Sequence, residues 1–92
     1  MYYVYILSDR KREVLYTSVT NDLEQKLKEH ANLLTDGFAG NTLSQLLYYE
    51  RMNDIKAAIA REKQIKEWTR QKKNSLISGM NPEWKDLFSE IV

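Results

Sequence analysis

Cysteine is absent from this 92-residue chain, and histidine occurs once, at position 30. Without cysteine there can be no disulfide framework, no thiolate metal site and no cysteine nucleophile, so burial alone must hold the fold. Long apolar runs are missing as well: the longest covers a few residues, far short of the roughly 20 that span a bilayer. The opening segment MYYVYILS has neither the basic lead nor the small-residue cleavage site of a signal peptide. The expectation is a cytoplasmic protein with no membrane attachment. An excess of one charge is also lacking, since 14 Lys and Arg face 13 Asp and Glu for a net charge of +1. Any case for a nucleic-acid partner must therefore come from how the charge is distributed. What is present, 42% hydrophobic and 29% charged residues, is ordinary globular composition at a length that fits one domain over 1–92.

The β-branched and aromatic run Tyr2 to Ser8 reads as a strand, and Val14 to Thr20 reads as a second, joined to it by a short charged segment as an antiparallel hairpin. The period then changes. Asn21 followed by Glu24, with Leu23 and Leu27 four apart, predicts a short helix over about 22 to 31. No period is sustained over 32 to 43, which reads as the longest loop. A third strand over 45 to 50 leads through Asn53 and Asp54, a good N-cap pair, into a long helix over roughly 55 to 72. Leu76 and Ile77 belong to a short helical turn that Gly79 ends. Asn81 and Pro82 open a last helix, with Trp84, Leu87, Phe88 and Ile91 at helical spacing. This order predicts an α+β fold, a small three-stranded antiparallel sheet flanked by helices.

Three polar residues fall where apolar ones are expected. On the long helix Ile55, Ala58 and Ile59 define an inward stripe, and Glu62 lies close to its axis. A carboxylate there is costly unless paired, protonated or bound to a metal; alternatively a small rotation of the helix lets it reach water. On the first helix Lys26 and His30 flank the Leu23 and Leu27 stripe. They are potential proton or phosphate ligands, or else a lysine extending to solvent and a packed histidine. The strand tyrosines say less, because aromatics are favoured in strands anyway. Charge is unevenly placed: residues 51 to 73 hold eight basic and three acidic side chains, a net +5 that leaves −4 elsewhere. Arg61, Lys66 and Arg70 on this basic stretch, with Trp68 among them, read as phosphate contacts or as a solvated helix face.

Four segments in order, Tyr3 to Leu7, Leu15 to Glu24, Ala60 to Lys66 and Asn81 to Leu87, resemble the small stand-alone GIY-YIG nuclease-like proteins of bacteria. The resemblance implies the same three-stranded sheet with flanking helices and a metal-assisted hydrolysis of DNA phosphodiesters using one divalent ion, Mg²⁺ or Mn²⁺. It places Tyr5 in the first half-motif and Tyr16 in the second, with Tyr16 as general base. It matches Glu62 to the metal carboxylate, Lys26 to an arginine that offsets charge, His30 to the group one turn later, and Asn74 to an asparagine that positions substrate. The chain departs from the pattern at Thr17 and Ser18, where Ile and Gly are usual, and at Lys26, which lacks the two-pronged fork of arginine. Three readings stay open: an endonuclease of weakened activity acting on single-stranded or branched DNA as a monomer or weak dimer, a degenerate domain that binds nucleic acid, and a protein-interaction module.

Overall fold

The computed structural model describes residues 1–35, 43 and 45–91, with the helical backbone alone for 30–35. Its elements are β1 (Tyr2–Ser8), β2 (Leu15–Thr20), α1 (Leu23–Thr35), β3 (Gln45–Met52), α2 (Ile55–Glu67), α3 (Arg70–Met80) and α4 (Phe88–Ile91). The sheet is antiparallel with order β2-β1-β3. This is the α+β architecture expected.

Strand β1 reads as an almost continuous apolar run because both of its faces are covered. Val4 and Ile6 pack with Leu47, Ala58, Ile65 and Ile77, beneath α2 and α3. Tyr5 and Leu7 point the other way, into a cluster with Leu23 and Leu27 of α1, Leu46 and Leu87. A bulge between Ile6 and Leu7 sets Leu47 between the partners Tyr48 and Leu46, which brings both Leu47 and Tyr48 into the first cluster.

Several element boundaries differ from expectation. The first helix runs on to Thr35, and Asp22 supplies the capping oxygen, accepting from the Gln25 amide at 3.1 Å. The rest of the loop expected over 32–43 lies almost wholly outside the described residues. The long helix is two helices, because Trp68 takes an extended conformation and the Thr69 hydroxyl caps α3 by accepting from the Lys72 amide. Gly79 lies inside α3 and does not end it. The Asp54 cap of α2 is as expected, with its carboxylate accepting from the Lys56 and Ala57 amides.

The inward stripe of α2 is also corrected. Ala58 and Ile65 are fully buried while Ile55 and Ile59 are exposed. The small alanine allows close approach to the sheet, and the half-buried Trp68 continues its line.

Asn81 and Pro82 do not start a helix. The Asn81 side chain, 3% exposed, turns back to donate to the carbonyls of Leu47 (3.1 Å) and Lys85 (2.8 Å) and accepts from the Lys85 amide (3.2 Å). Asp86 accepts from the Leu46 amide at 2.9 Å, and the Leu87 amide donates to the Leu46 carbonyl at 2.8 Å. The segment after α3 thus covers the free edge of β3, and only the four residues of α4 are helical.

One buried polar atom has no partner among the described residues beyond the Gln45 side-chain oxygen. Thr17, 4% exposed, sits opposite Ile6 with its hydroxyl unpaired. An unsatisfied buried hydroxyl costs about 1–3 kcal/mol, so the isosteric Thr17→Val is expected to stabilise the fold by about 1 kcal/mol. Thermal unfolding should show a midpoint about 4–8 °C higher.

Candidate functional site

The β1–β2 register places Tyr5 opposite Ser18 and Leu7 opposite Tyr16, so Tyr5, Ser18 and Tyr16 share one face at the β2 side of the sheet. Tyr5 is 2% exposed and Tyr16 is 37% exposed, which makes one an interior phenol and the other a rim phenol. Burial pushes the Tyr5 phenol above its ordinary pKa. A hydrogen bond from Ser18 opposes this, and the nearby charges of Tyr16, Glu29 and Glu62 add to the rise. Tyr5 therefore stays protonated at neutral pH and acts as a hydrogen-bonding group rather than a base.

Glu62 reaches this neighbourhood from α2. It lies between Ala58 and Ile65 in sequence, at the shoulder of the buried line, with its side chain only 15% exposed. Its carboxylate is 3.4 Å from the ammonium of Lys66 one turn on. From α1, Glu29 enters the same field, and Lys26 pairs with Glu29 at 3.4 Å, both groups well exposed. Lys26 is thereby tied to the rim of the site through a surface ion pair of small energetic worth. His30 stands on α1 one turn after Lys26, and its side chain lies outside the described residues. Tyr5, Tyr16, Glu29 and Glu62, from four elements, are thus near enough for the other three to bear on the ionisation of Tyr5, while Lys26 and Lys66 pair with the two carboxylates.

Arg61 is not part of that group. Although it neighbours Glu62, it leaves the opposite shoulder of α2, donating from Nε to Glu50 at 2.8 Å and from one terminal nitrogen to Gln64 at 3.0 Å. Glu50 also accepts from the Tyr48 hydroxyl, and burial together with that bond pushes the Tyr48 phenol up to about 12. The Arg61 guanidinium lies 5.1 Å from the Trp68 ring centre and the Lys72 ammonium 4.4 Å from it. Arg61 fastens α2 to β3. Arg70 and Asn74 are likewise bonded to each other, at 3.0 Å, at the tip of the β1–β2 hairpin.

Two contributors were not singled out as chemical groups in the sequence. Glu29 carries a signal only after the fact, as a carboxylate three residues beyond Lys26 on the same helix. Ser18 is a departure from the family pattern that turns out to supply a hydroxyl to Tyr5.

A cleft of about 350 Å³ lies elsewhere, where the start of α1 meets α4, with Tyr3, Asp22, Glu24 and Glu90 among its lining residues. Its acidic wall opposes a phosphodiester, and the phenol and carboxylate cluster is the better candidate. No helix among the described residues is long and apolar enough to cross a membrane.

Comparison with known proteins bears on the family and the fold. A family model described as the GIY-YIG catalytic domain matches residues 1–75. The chain is 38% identical over 92 residues to a UPF0213 protein of Clostridium perfringens, covering 99% of this chain and 98% of that one. It is 40% identical over 76 residues to a UPF0213 protein of Haloquadratum walsbyi, covering 82% and 84% respectively. The solution NMR structure of a UPF0213 protein from Bacillus halodurans superposes with a TM-score of 0.58 at 24% identity over 92% of each chain, a likeness of fold.

Proposed function

We propose that this chain, which belongs to the GIY-YIG family, is a metal-dependent DNA endonuclease that hydrolyses phosphodiesters at the cluster of Tyr5, Tyr16 and Glu62. The observation that supports this reading is the β1–β2 register, which sets a buried phenol, Tyr5, and a rim phenol, Tyr16, on one face, with the sheltered Glu62 carboxylate near enough to bear on the ionisation of Tyr5.

The donor set fits a single Mg²⁺ or Mn²⁺. Among the described residues no group of three or more acidic or histidine side chains comes together, so these side chains offer no full cage. A lone carboxylate such as Glu62 suits Mg²⁺, which keeps several of its waters and takes its remaining ligands from substrate phosphate. When bound, the ion supplies charge neutralisation and polarisation at the phosphate. Lys66 pairs with Glu62 at the surface, a weak contact that a cation displaces readily.

The rest of the work falls to the protein. Tyr16, open to solvent and acting as its phenolate, would take the proton of the attacking water as the water oxygen bonds to phosphorus, while the P–O bond to the leaving oxygen breaks and that oxygen takes a proton from solvent. Tyr5, held neutral by burial, donates a hydrogen bond toward the reacting phosphate, and His30 assists from α1. Lys26 offsets the charge that develops, and it does so less well than arginine because a single ammonium cannot bind two oxygens at once. The exposed Lys56, Lys63 and Lys66 of α2 and Lys72 of α3 provide the attraction for the DNA backbone.

Relaxation of supercoiled plasmid tests the reading: nicking should need added Mg²⁺ or Mn²⁺ and cease with a chelator, whereas metal-independent nicking at the same rate contradicts it. Lys26→Arg should raise the rate about tenfold or more, since such groups are worth about 10²–10³ in rate. No gain would move the defect to Ser18 or to substrate contacts.

A second reading has its own observation in Lys26, Thr17 and Ser18, which all depart from the pattern within the motif region. In that reading the domain binds nucleic acid through its basic α2 and α3 without cutting it. Binding would then fall steeply with salt and survive Glu62→Ala, with no nicking by either protein.

A further inference from the structure

We infer that Arg70 is a positioning residue that holds Tyr16 through the turn between β1 and β2, an inference that rests on Tyr16 belonging to the reacting site. The turn, Asp9 to Val14, contains neither glycine nor proline, yet Arg12 takes a left-handed conformation with φ of 59°. A side chain in that region is disfavoured by about 1 kcal/mol or more and persists only where its surroundings enforce it.

The enforcing contacts are specific. The Asp9 carboxylate accepts from the amides of Glu13 (2.8 Å) and Val14 (3.3 Å), and the Asp9 carbonyl accepts from the Arg12 amide (3.1 Å). From α3, Arg70 donates one terminal nitrogen to the Glu13 carbonyl at 2.8 Å and the other to the carbonyl of Arg12. Its Nε donates to Asn74 at 3.0 Å, which fixes the plane of the guanidinium. The fork thus takes the carbonyl of the strained residue and the one after it, a geometry that a lysine cannot reproduce. The side chain of Arg12 itself donates to the Trp84 carbonyl at 2.7 Å. The turn is therefore stitched to α3 on one side and to the C-terminal segment on the other.

Tyr16 follows Glu13 by three residues, at the start of β2, an edge strand whose one neighbour in the sheet is β1. Between the turn and Tyr16 lies a single ladder pair, Leu15 with Ser8. Where the turn sits decides where the rim phenol sits relative to Tyr5 and Glu62. All three donating nitrogens of Arg70 face protein oxygens, and engaging a phosphate would strip the turn of two of them. Arg70 and Asn74 thus serve the reaction through Tyr16, without touching substrate.

The test compares the full chain with Arg70→Lys and Arg70→Gln. Amide hydrogen exchange at residues 13–16 should accelerate about tenfold or more in both variants, with α2 unchanged. The ¹³C chemical shifts of the Tyr16 ring should change in both. The nicking kcat should fall about 10²-fold with KM unaltered, as for a catalytic group displaced by about 1 Å, and the salt slope of DNA binding should stay that of the wild type. Arg70→Lys should not rescue any of these. The inference is overturned if Arg70→Gln leaves the exchange of residues 13–16 and the Tyr16 ring chemical shifts as in the wild type. It is also overturned if lysine restores wild-type behaviour, or if the salt slope drops by about one, which marks a phosphate contact. If the wild type does not nick at all, the nuclease reading fails, while the exchange and chemical-shift data still decide whether Arg70 positions Tyr16.

Discussion

Tyr16→Phe is expected to lower the nicking rate by about 10²–10⁴, the range that a general base contributes, while leaving the protein folded. The substitution removes one hydroxyl from a ring that is 37% exposed. Thermal stability should change by less than about 1 kcal/mol. Tyr5→Phe makes the informative comparison. Tyr5 is interior, held neutral by burial and bonded by Ser18, so its loss leaves the Ser18 hydroxyl without that partner and changes both rate and stability. If the two variants had the same rate loss and the same unfolding midpoint, the division of roles between a rim base and a buried donor would be wrong.

Asn81→Ala is expected to have the largest effect on stability, about 3 kcal/mol. The Asn81 side chain makes three hydrogen bonds that no other group replaces: two from its amide nitrogen to the carbonyls of Leu47 and Lys85, one to its oxygen from the Lys85 amide. Leu47 is fully buried on β3. Truncation leaves its carbonyl with one bond fewer and frees the segment that covers the strand edge, where each unsatisfied buried group costs about 1–3 kcal/mol. In a domain of this size that corresponds to a midpoint lower by roughly 12–24 °C. Asn81→Asp should be at least as harmful despite its shape, since it sets a carboxylate against two carbonyl oxygens. A small effect from either would mean that the segment after α3 docks chiefly through Leu87 and its neighbours.

The elements that were legible in the sequence are those whose pattern has one local cause. Strand β1 could be read from its unbroken apolar run and α2 from its Asp54 cap. Glu62 stood out because a carboxylate occupied an inward slot while Arg61, Lys63 and Lys66 lay beside it. The misread features have distant causes. Helical periodicity cannot choose between two neighbouring apolar lines, so Ile55 and Ile59 were expected inside when Ala58 and Ile65 take that place. The break at Trp68 was hidden because the helical spacing resumes immediately after Thr69, whose hydroxyl starts a new helix. Asn81 has the residue type and position of a helix cap, but its side chain bonds to a strand 34 residues away.

The same distinction applies to the site. Tyr5 and Tyr16 were proposed from the family resemblance, and Glu62 from that resemblance together with its inward slot on α2. Arg61 and Arg70 were read as phosphate contacts because their partners, Glu50 and the turn carbonyls, lie 11 and 57 to 58 residues away. A basic side chain looks free in a sequence until the fold supplies its acceptor. The net +5 of residues 51 to 73 therefore overstates the charge available to a substrate, and the exposed lysines are the part that faces outward.

Glu62 is proposed to hold a divalent ion for phosphodiester hydrolysis beside the two tyrosines. The most direct test of this is the initial rate of plasmid nicking by the wild type and by Glu62→Ala over one range of Mn²⁺ concentrations. The predicted result is a saturable dependence on Mn²⁺ in the wild type and a rate about 10²–10³ lower, without saturation, in the variant, as for loss of a group that stabilises transition-state charge. Equal rates and equal Mn²⁺ dependence in the two proteins would contradict the account.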